Sequence, residues 1–296
     1  MAKKRLCTMK IFHATIFLLL SSTSIAQTTQ IQSLRSAQTD IERAEANEEL
    51  RIEMRSIIEG FINQDEVTQF TATWPFGKAT AGDGEETIVV ITWNYETLTR
   101  EQVYSGFVIF KDEGELVWTE LIQDLSESIK DESRSYRSDD WTGCIYYDMV
   151  ITHDEYTPVY TLLGWDGADG KVTRKIIETL IVSNGTLRIG VPFLESDNGL
   201  KKRHLLEFSD ILQVTLAFDN SGQRIVFDHL APRDPSLEGQ TEFYGPTLAY
   251  DAYIWEGSVW KAHYFVELKN ENEGGVVKPY NDPRPKLDNS NNRKRK

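Results

Sequence analysis

Thr87-Ile88-Val89-Val90-Ile91-Thr92-Trp93 is the stretch that decides the fold class. β-branched and aromatic residues fill it, and such side chains suit a pleated surface better than a helix. Runs of the same kind return at 103–110, 115–122, 144–152 and 159–163. More follow at 174–182, 186–193, 203–208, 213–218, 224–230, 247–255 and 259–268. Short turn signals separate several of them: Asp112-Glu113-Gly114, Ser183-Asn184-Gly185, Asp219-Asn220-Ser221-Gly222 and Glu256-Gly257-Ser258. Strands joined this tightly pair antiparallel, because a parallel crossover needs a much longer connection. The expected fold is therefore mostly β, an antiparallel meander of about a dozen strands, as packed sheets or an open propeller-like arrangement. The strand ends at Trp93, Trp165, Phe218 and Tyr250 share an apolar pair, an aromatic and an Asp or Asn. Their uneven spacing argues against a regular repeat.

Upstream of this body the period becomes helical. Over 39–63, Leu50, Met54, Ile57, Ile58 and Phe61 share one face, with Glu48, Glu49, Arg51, Glu53 and Arg55 opposite. Asp40 is a candidate N-cap, and Gly60 with Asn63-Gln64-Asp65 ends the pattern. The spacing predicts one N-terminal amphipathic helix packed on something larger. The organisation that follows is a signal peptide over 1–26, a polar linker over 27–38, the helix over 39–63, a β-rich domain over 64–270, and a disordered polar and basic tail over 271–296.

The expected signal peptide has three parts in order. Lys3, Lys4, Arg5 and Lys10 form a basic region, 11–20 a short apolar run, and Ser24-Ile25-Ala26 a small-x-small cleavage site. The apolar run is too short and too interrupted to span a bilayer, and no other stretch approaches that length. The expected localisation is periplasmic or secreted. Cleavage removes Cys7 and leaves Cys144 alone, so no intrachain disulfide is expected. Within Cys144-Ile145-Tyr146-Tyr147 that thiol reads as a small buried apolar group rather than a nucleophile.

Charge narrows the range of partners. The chain carries 32 Lys plus Arg against 46 Asp plus Glu, a formal net charge of −14. A phosphate-binding surface needs clustered cations, so nucleic acid is not an expected partner.

Few segments carry recognisable chemistry. Trp165-Asp166-Gly167-Ala168-Asp169-Gly170 has carboxylates at a spacing that suits a hard cation, which makes Asp166 and Asp169 weak metal candidates. Asp-Gly is equally turn chemistry, and no metal or other cofactor is expected. Phe227-Asp228-His229-Leu230-Ala231-Pro232 places Asp and His at a strand end. Asp228 and His229 point to opposite faces of an extended strand, so they form no direct dyad. With Tyr244 and Asp251 they are the catalytic candidates. Trp141, Trp165 and Asp166 are the candidates for binding, since aromatics beside a carboxylate suit stacking on a ligand. No nucleophile elbow, phosphate loop, dinucleotide fingerprint or His-Glu-x-x-His pattern occurs.

Four ordered segments carry a resemblance. Trp141-Thr142-Gly143-Cys144-Ile145-Tyr146-Tyr147, Leu162-Leu163-Gly164-Trp165-Asp166-Gly167, Ile225-Val226-Phe227-Asp228-His229-Leu230-Ala231-Pro232 and Tyr244-Gly245-Pro246 together resemble an uncharacterised family of secreted bacterial β-rich proteins. The likeness covers about 87–270, with Cys144 where a small apolar residue is more usual. It implies one exported domain and supplies no catalytic residue. The leading expectation is a non-enzymatic module that binds an envelope protein or glycan. The alternative is a hydrolase or lyase acting on envelope polymers through carboxylates near Asp228 and Asp251.

Overall fold

The computed structural model describes residues 29–126, 129–221 and 223–268. The expected signal segment 1–26 and tail 271–296 lie outside the described residues. The chain divides into Met1–Val266 and Glu267–Lys296, and every element below belongs to the first unit. Among the described residues, no helix is long and apolar enough to cross a membrane.

Among the described residues, three helices precede the sheets: α1 over 29–36, α2 over Asp40–Glu59 and α3 over Gln64–Thr73. Periodicity marks only the second. The stretch read as a polar linker holds α1, which buries Ile31 and Leu34. Asn63, read as part of a helix end, is instead the N-cap of α3, its side chain accepting from the Glu66 N–H at 3.0 Å. Helices this short show too few apolar residues for a period to register. The N-cap of α2 is Thr39 rather than Asp40. Thr39 Oγ1 accepts from the Glu42 N–H at 3.2 Å while the Glu42 carboxylate accepts from the Thr39 N–H, a reciprocal capping box.

Among the described residues, fifteen strands follow. β1 (Gly77–Ala81), β2 (Ile88–Glu96), β3 (Gln102–Asp112) and β4 (Glu115–Ile122) form the first sheet in that order. β5 (Ile145–Asp154), β6 (Thr157–Asp166), β7 (Val172–Ser183) and the short β8 (Thr186–Ile189) build the second. The chain then leaves for the third sheet with β9 (Leu194–Ser196) and β10 (Gly199–Lys201). It returns as β11 (Arg203–Ser209) to pair with the part of β7 that β8 leaves uncovered. β12 (Leu216–Asp219), β13 (Arg224–Pro232), β14 (Tyr244–Trp255) and β15 (Trp260–Val266) complete the third sheet in the order β10-β9-β15-β14-β13-β12. Pairing between named strands is antiparallel except where Trp260 and Lys261 lie parallel to Leu194 and Glu195. The Ser183–Thr186 hairpin turns through Asn184 (φ 50°) and Gly185 (φ 66°), the pair of positive φ angles that a two-residue loop requires.

The sheets pack face to face in succession without closing into a barrel, and the helices cover the outer face of the first. Val89, Ile91 and Trp93 of β2 point to Leu50, Met54 and Ile58 of α2, whereas Ile88 and Val90 point to the second sheet. Likewise Leu162 and Ile176 face the first sheet, while Leu163 and Ile177 face Ile225, Phe227 and Tyr253 of the third. A strand covered on both sides loses polar alternation, which is why β2 and β6 read as nearly unbroken apolar runs. The polar-looking connection from β4 to β5 is not a free loop. Its Ile129, Tyr136 and Trp141 fill the core between the first two sheets.

Buried polar clusters tie these elements together. Asn47 of α2 accepts from Trp93 Nε1 at 2.7 Å and donates to Ser105 Oγ at 3.1 Å, locking the helix to β2 and β3. In the second sheet Glu178 takes the Tyr146 hydroxyl at 2.6 Å and the Arg203 guanidinium, while Trp141 Nε1 donates to Tyr146. Every charge there has a partner, the condition under which burial of an ion pair is tolerated.

Candidate functional site

The site lies at two irregularities in the third sheet. Asp228 of β13 faces Tyr250 of β14, but the next pair is Leu230 with Pro246, so His229 alone opposes three residues of a bulge. On the other side of β14, Tyr250 pairs with Val266 and Ala252 with His263, so Asp251 opposes the bulged Tyr264 and Phe265. Because Phe227 pairs with Asp251, His229 two residues on shares the face of Asp251 as a diagonal neighbour, and bulges adjust the aim of such side chains. His229 Nδ1 lies 2.8 Å from Asp251 Oδ2. Asp251 is buried, and its other oxygen accepts from the Phe265 N–H at 3.0 Å. Phe265 has a φ of 56° and lays its ring 4.6 Å from the imidazole. A bulky side chain in that backbone region is strained, and strain of this kind gathers at sites with a task.

The dyad has definite chemical capacities. With Nδ1–H donated to the carboxylate, the neutral imidazole keeps its lone pair on Nε2. The His229 side chain is 29% exposed. Among the described residues, no hydrogen bond joins His229 to a Ser, Thr or Cys. Of the four catalytic candidates, His229 and Asp251 are brought together and the other two are engaged elsewhere. Asp228 accepts from the Thr215 N–H at 2.6 Å and closes the approach to β12. The Tyr244 hydroxyl accepts from the Gly239 N–H at 3.1 Å.

The residues expected at a ligand surface lie in different surroundings. Trp141 is fully buried and presents no face to a ligand. Asp166 is buried too, accepting from Tyr104 Oη at 2.7 Å, Arg174 Nη1 at 2.7 Å and the Ala168 N–H at 2.9 Å. It ties β3 to β6 and β7. Burial first, and then this carboxylate, push the Tyr104 hydroxyl far up, so it remains a donor. Trp165 is half-buried. Asp169 Oδ1 accepts from the Lys171 and Val172 N–H groups, as a turn residue does. Among the described residues, no group of three or more His, Cys, Asp or Glu is placed to hold a metal ion. Cys144 is sealed in the core, and burial pushes its thiol well up.

Beside the dyad, β13 and β14 continue into a groove of about 570 Å³. Ala231 and Pro232 form one wall, Phe243 and Pro246 another, and the turn residues Ile211 and Leu212 a third. Ile211 is 84% exposed, and Leu248 on the neighbouring bulge is fully exposed. The 225–232 and 244–246 segments, singled out in the sequence, meet here. Ile211 and Leu212 went unremarked, although an apolar pair inside a polar turn is the signal that could have found them. Compared with family models, curated proteins and solved structures, the chain matches none.

Proposed function

We propose that this chain is an exported, non-enzymatic binding module that takes an apolar segment of a partner protein into the groove beside Pro232 and Pro246. The observation carrying this reading is the exposure of Ile211 and Leu212 along that groove. A fully exposed side chain of this kind gains roughly 1.5–3 kcal/mol on burial; Ile211, 84% exposed, has most of that to gain and Leu212, 42% exposed, under half. Ser209, Arg233, Glu242 and Thr247 also border the groove, but Ile211, Leu212, Pro232, Phe243 and Pro246 make an apolar segment the better fit than a glycan. The basic and apolar N-terminal segment supports an envelope address.

Selection from a displayed peptide library tests the reading. Apolar sequences should be enriched on the full chain and lost on Leu212→Asp, with the Tm of the variant within a few degrees of wild type. Enrichment that survives the substitution, or no enrichment at all, contradicts it.

The His229–Asp251 pair favours a second reading, hydrolysis or elimination on an envelope polymer with His229 Nε2 as the base. In that case His229→Gln abolishes turnover of the polymer and leaves peptide capture intact.

A further inference from the structure

A second concave site lies at the other side of the molecule, against the first sheet. A cavity of about 370 Å³ is walled by α1, by the start of α2 and by the turn from β2 to β3. Three guanidinium groups line it, those of Arg35, Arg43 and Arg100, together with Phe76 and Tyr95. That is an unusual concentration for a chain of net charge −14.

The three cations are not equivalent. Arg43 donates to the Glu96 carbonyl at 2.9 Å and lies 3.3 Å from Asp40 Oδ1. Arg100 Nε lies 3.2 Å from Glu96 Oε1. Asp40 accepts further from the Leu98 N–H, and Glu96 from Gln102 Nε2, so both carboxylates are already well supplied with donors. Arg35 pairs with no carboxylate among the described residues. Its guanidinium lies over the Phe76 ring, 5.1 Å from the centroid, which orients the planar fork without neutralising it. Three cations facing two carboxylates leave one positive charge, on an exposed side chain braced by an aromatic ring.

From this we infer that the cavity binds a monocarboxylate built on a single ring that can lie against an aromatic side chain. The Arg35 fork takes the carboxylate in bidentate fashion, the geometry for which a guanidinium is suited. Tyr95, Phe76 and Leu34 supply the wall for the body, and Asn94 a polar group at its edge. A dianion such as phosphate fits less well, because its second charge meets Asp40 and Glu96 without a surplus cation. The volume lies at the small end of ligand pockets and accommodates a single-ring ligand. Two sources share this chemistry: the uronate unit of an acidic glycan and a free aromatic carboxylate.

Calorimetric titration of the full chain with galacturonate, benzoate, their neutral counterparts galactose and benzamide, and inorganic phosphate tests the assignment. At least one carboxylate should saturate a single site, its neutral counterpart should not, and phosphate should bind more weakly. Arg35→Gln should weaken the carboxylate by about tenfold or more with the Tm unchanged, as expected for loss of a charge-assisted bidentate contact. Which of galacturonate and benzoate binds identifies the source. Saturation by neither, equal binding of the neutral counterpart, tighter binding of phosphate, or an unaffected Arg35→Gln chain overturns the inference. If Arg35→Gln lowers the Tm, Arg35→Lys decides. It should retain the charge and partial binding, and complete retention of wild-type affinity would remove the role of the fork.

Discussion

Glu178 and Arg203 form an ion pair across β7 and β11 in which neither side chain is more than 1% exposed. The pair is held by its surroundings: the Tyr146 hydroxyl on the free Glu178 oxygen, the Tyr136 ring 4.3 Å from the guanidinium, and the Asp131 carbonyl as a further acceptor. Removing one member leaves a charge stranded in the core. Arg203→Met should therefore cost about 3–5 kcal/mol, whereas Glu178→Leu combined with Arg203→Met should cost less than the two single changes together. Urea unfolding of the three variants measures this, and full additivity would contradict it.

Phe265 shows its strain in a simple comparison. A Cβ at φ 56° is disfavoured, so Phe265→Gly should be more stable than Phe265→Ala by about 1 kcal/mol. Both variants lose the ring that covers His229, so the difference isolates the backbone. Equal midpoints of thermal unfolding would remove the claim of strain.

His204 makes stability depend on pH in a defined window. Burial holds its imidazole down to about 4, beside the Phe227 and Tyr253 rings. The unfolded histidine titrates near 6.5, so between about 6.5 and about 4 the unfolded chain binds the extra proton. The contribution is fully present above 6.5 and declines as the pH falls through that window. Denaturant unfolding at pH 7 and pH 4.5 should show a larger loss in wild type than in His204→Gln. Parallel losses would show that carboxylates alone set the acid limb.

Cys144 should be silent until the fold opens. Its thiol is buried and its pKa raised by that burial, so a thiol reagent at pH 8 should label it only in denaturant. Rapid labelling at Cys144 of the native chain, located by peptide mapping so that Cys7 does not contribute, would place the sulfur at an accessible surface and contradict the packing around it.

Much of the fold is local chemistry and was legible along the chain. β-branched runs, Asn184-Gly185 and the other short loops specify antiparallel hairpins through contacts between near neighbours. The helical period over α2 likewise showed the face that packs on the first sheet, through Leu50 and Met54. Tertiary structure decided what those elements cover. Trp141 and Asp166 looked like surface groups beside turns, yet the stacking of one sheet on the next encloses them. His229 and Asp251 lie 22 positions apart and meet because β13 and β14 pair side by side, with β15 slipping register beside them. Arg35, Arg43 and Arg100 come from two helices and a turn, and converge because α1 and α2 dock on β2. Periodicity is set by the backbone of each segment, whereas burial and convergence depend on which segments share a boundary, and that is a property of the packed molecule alone.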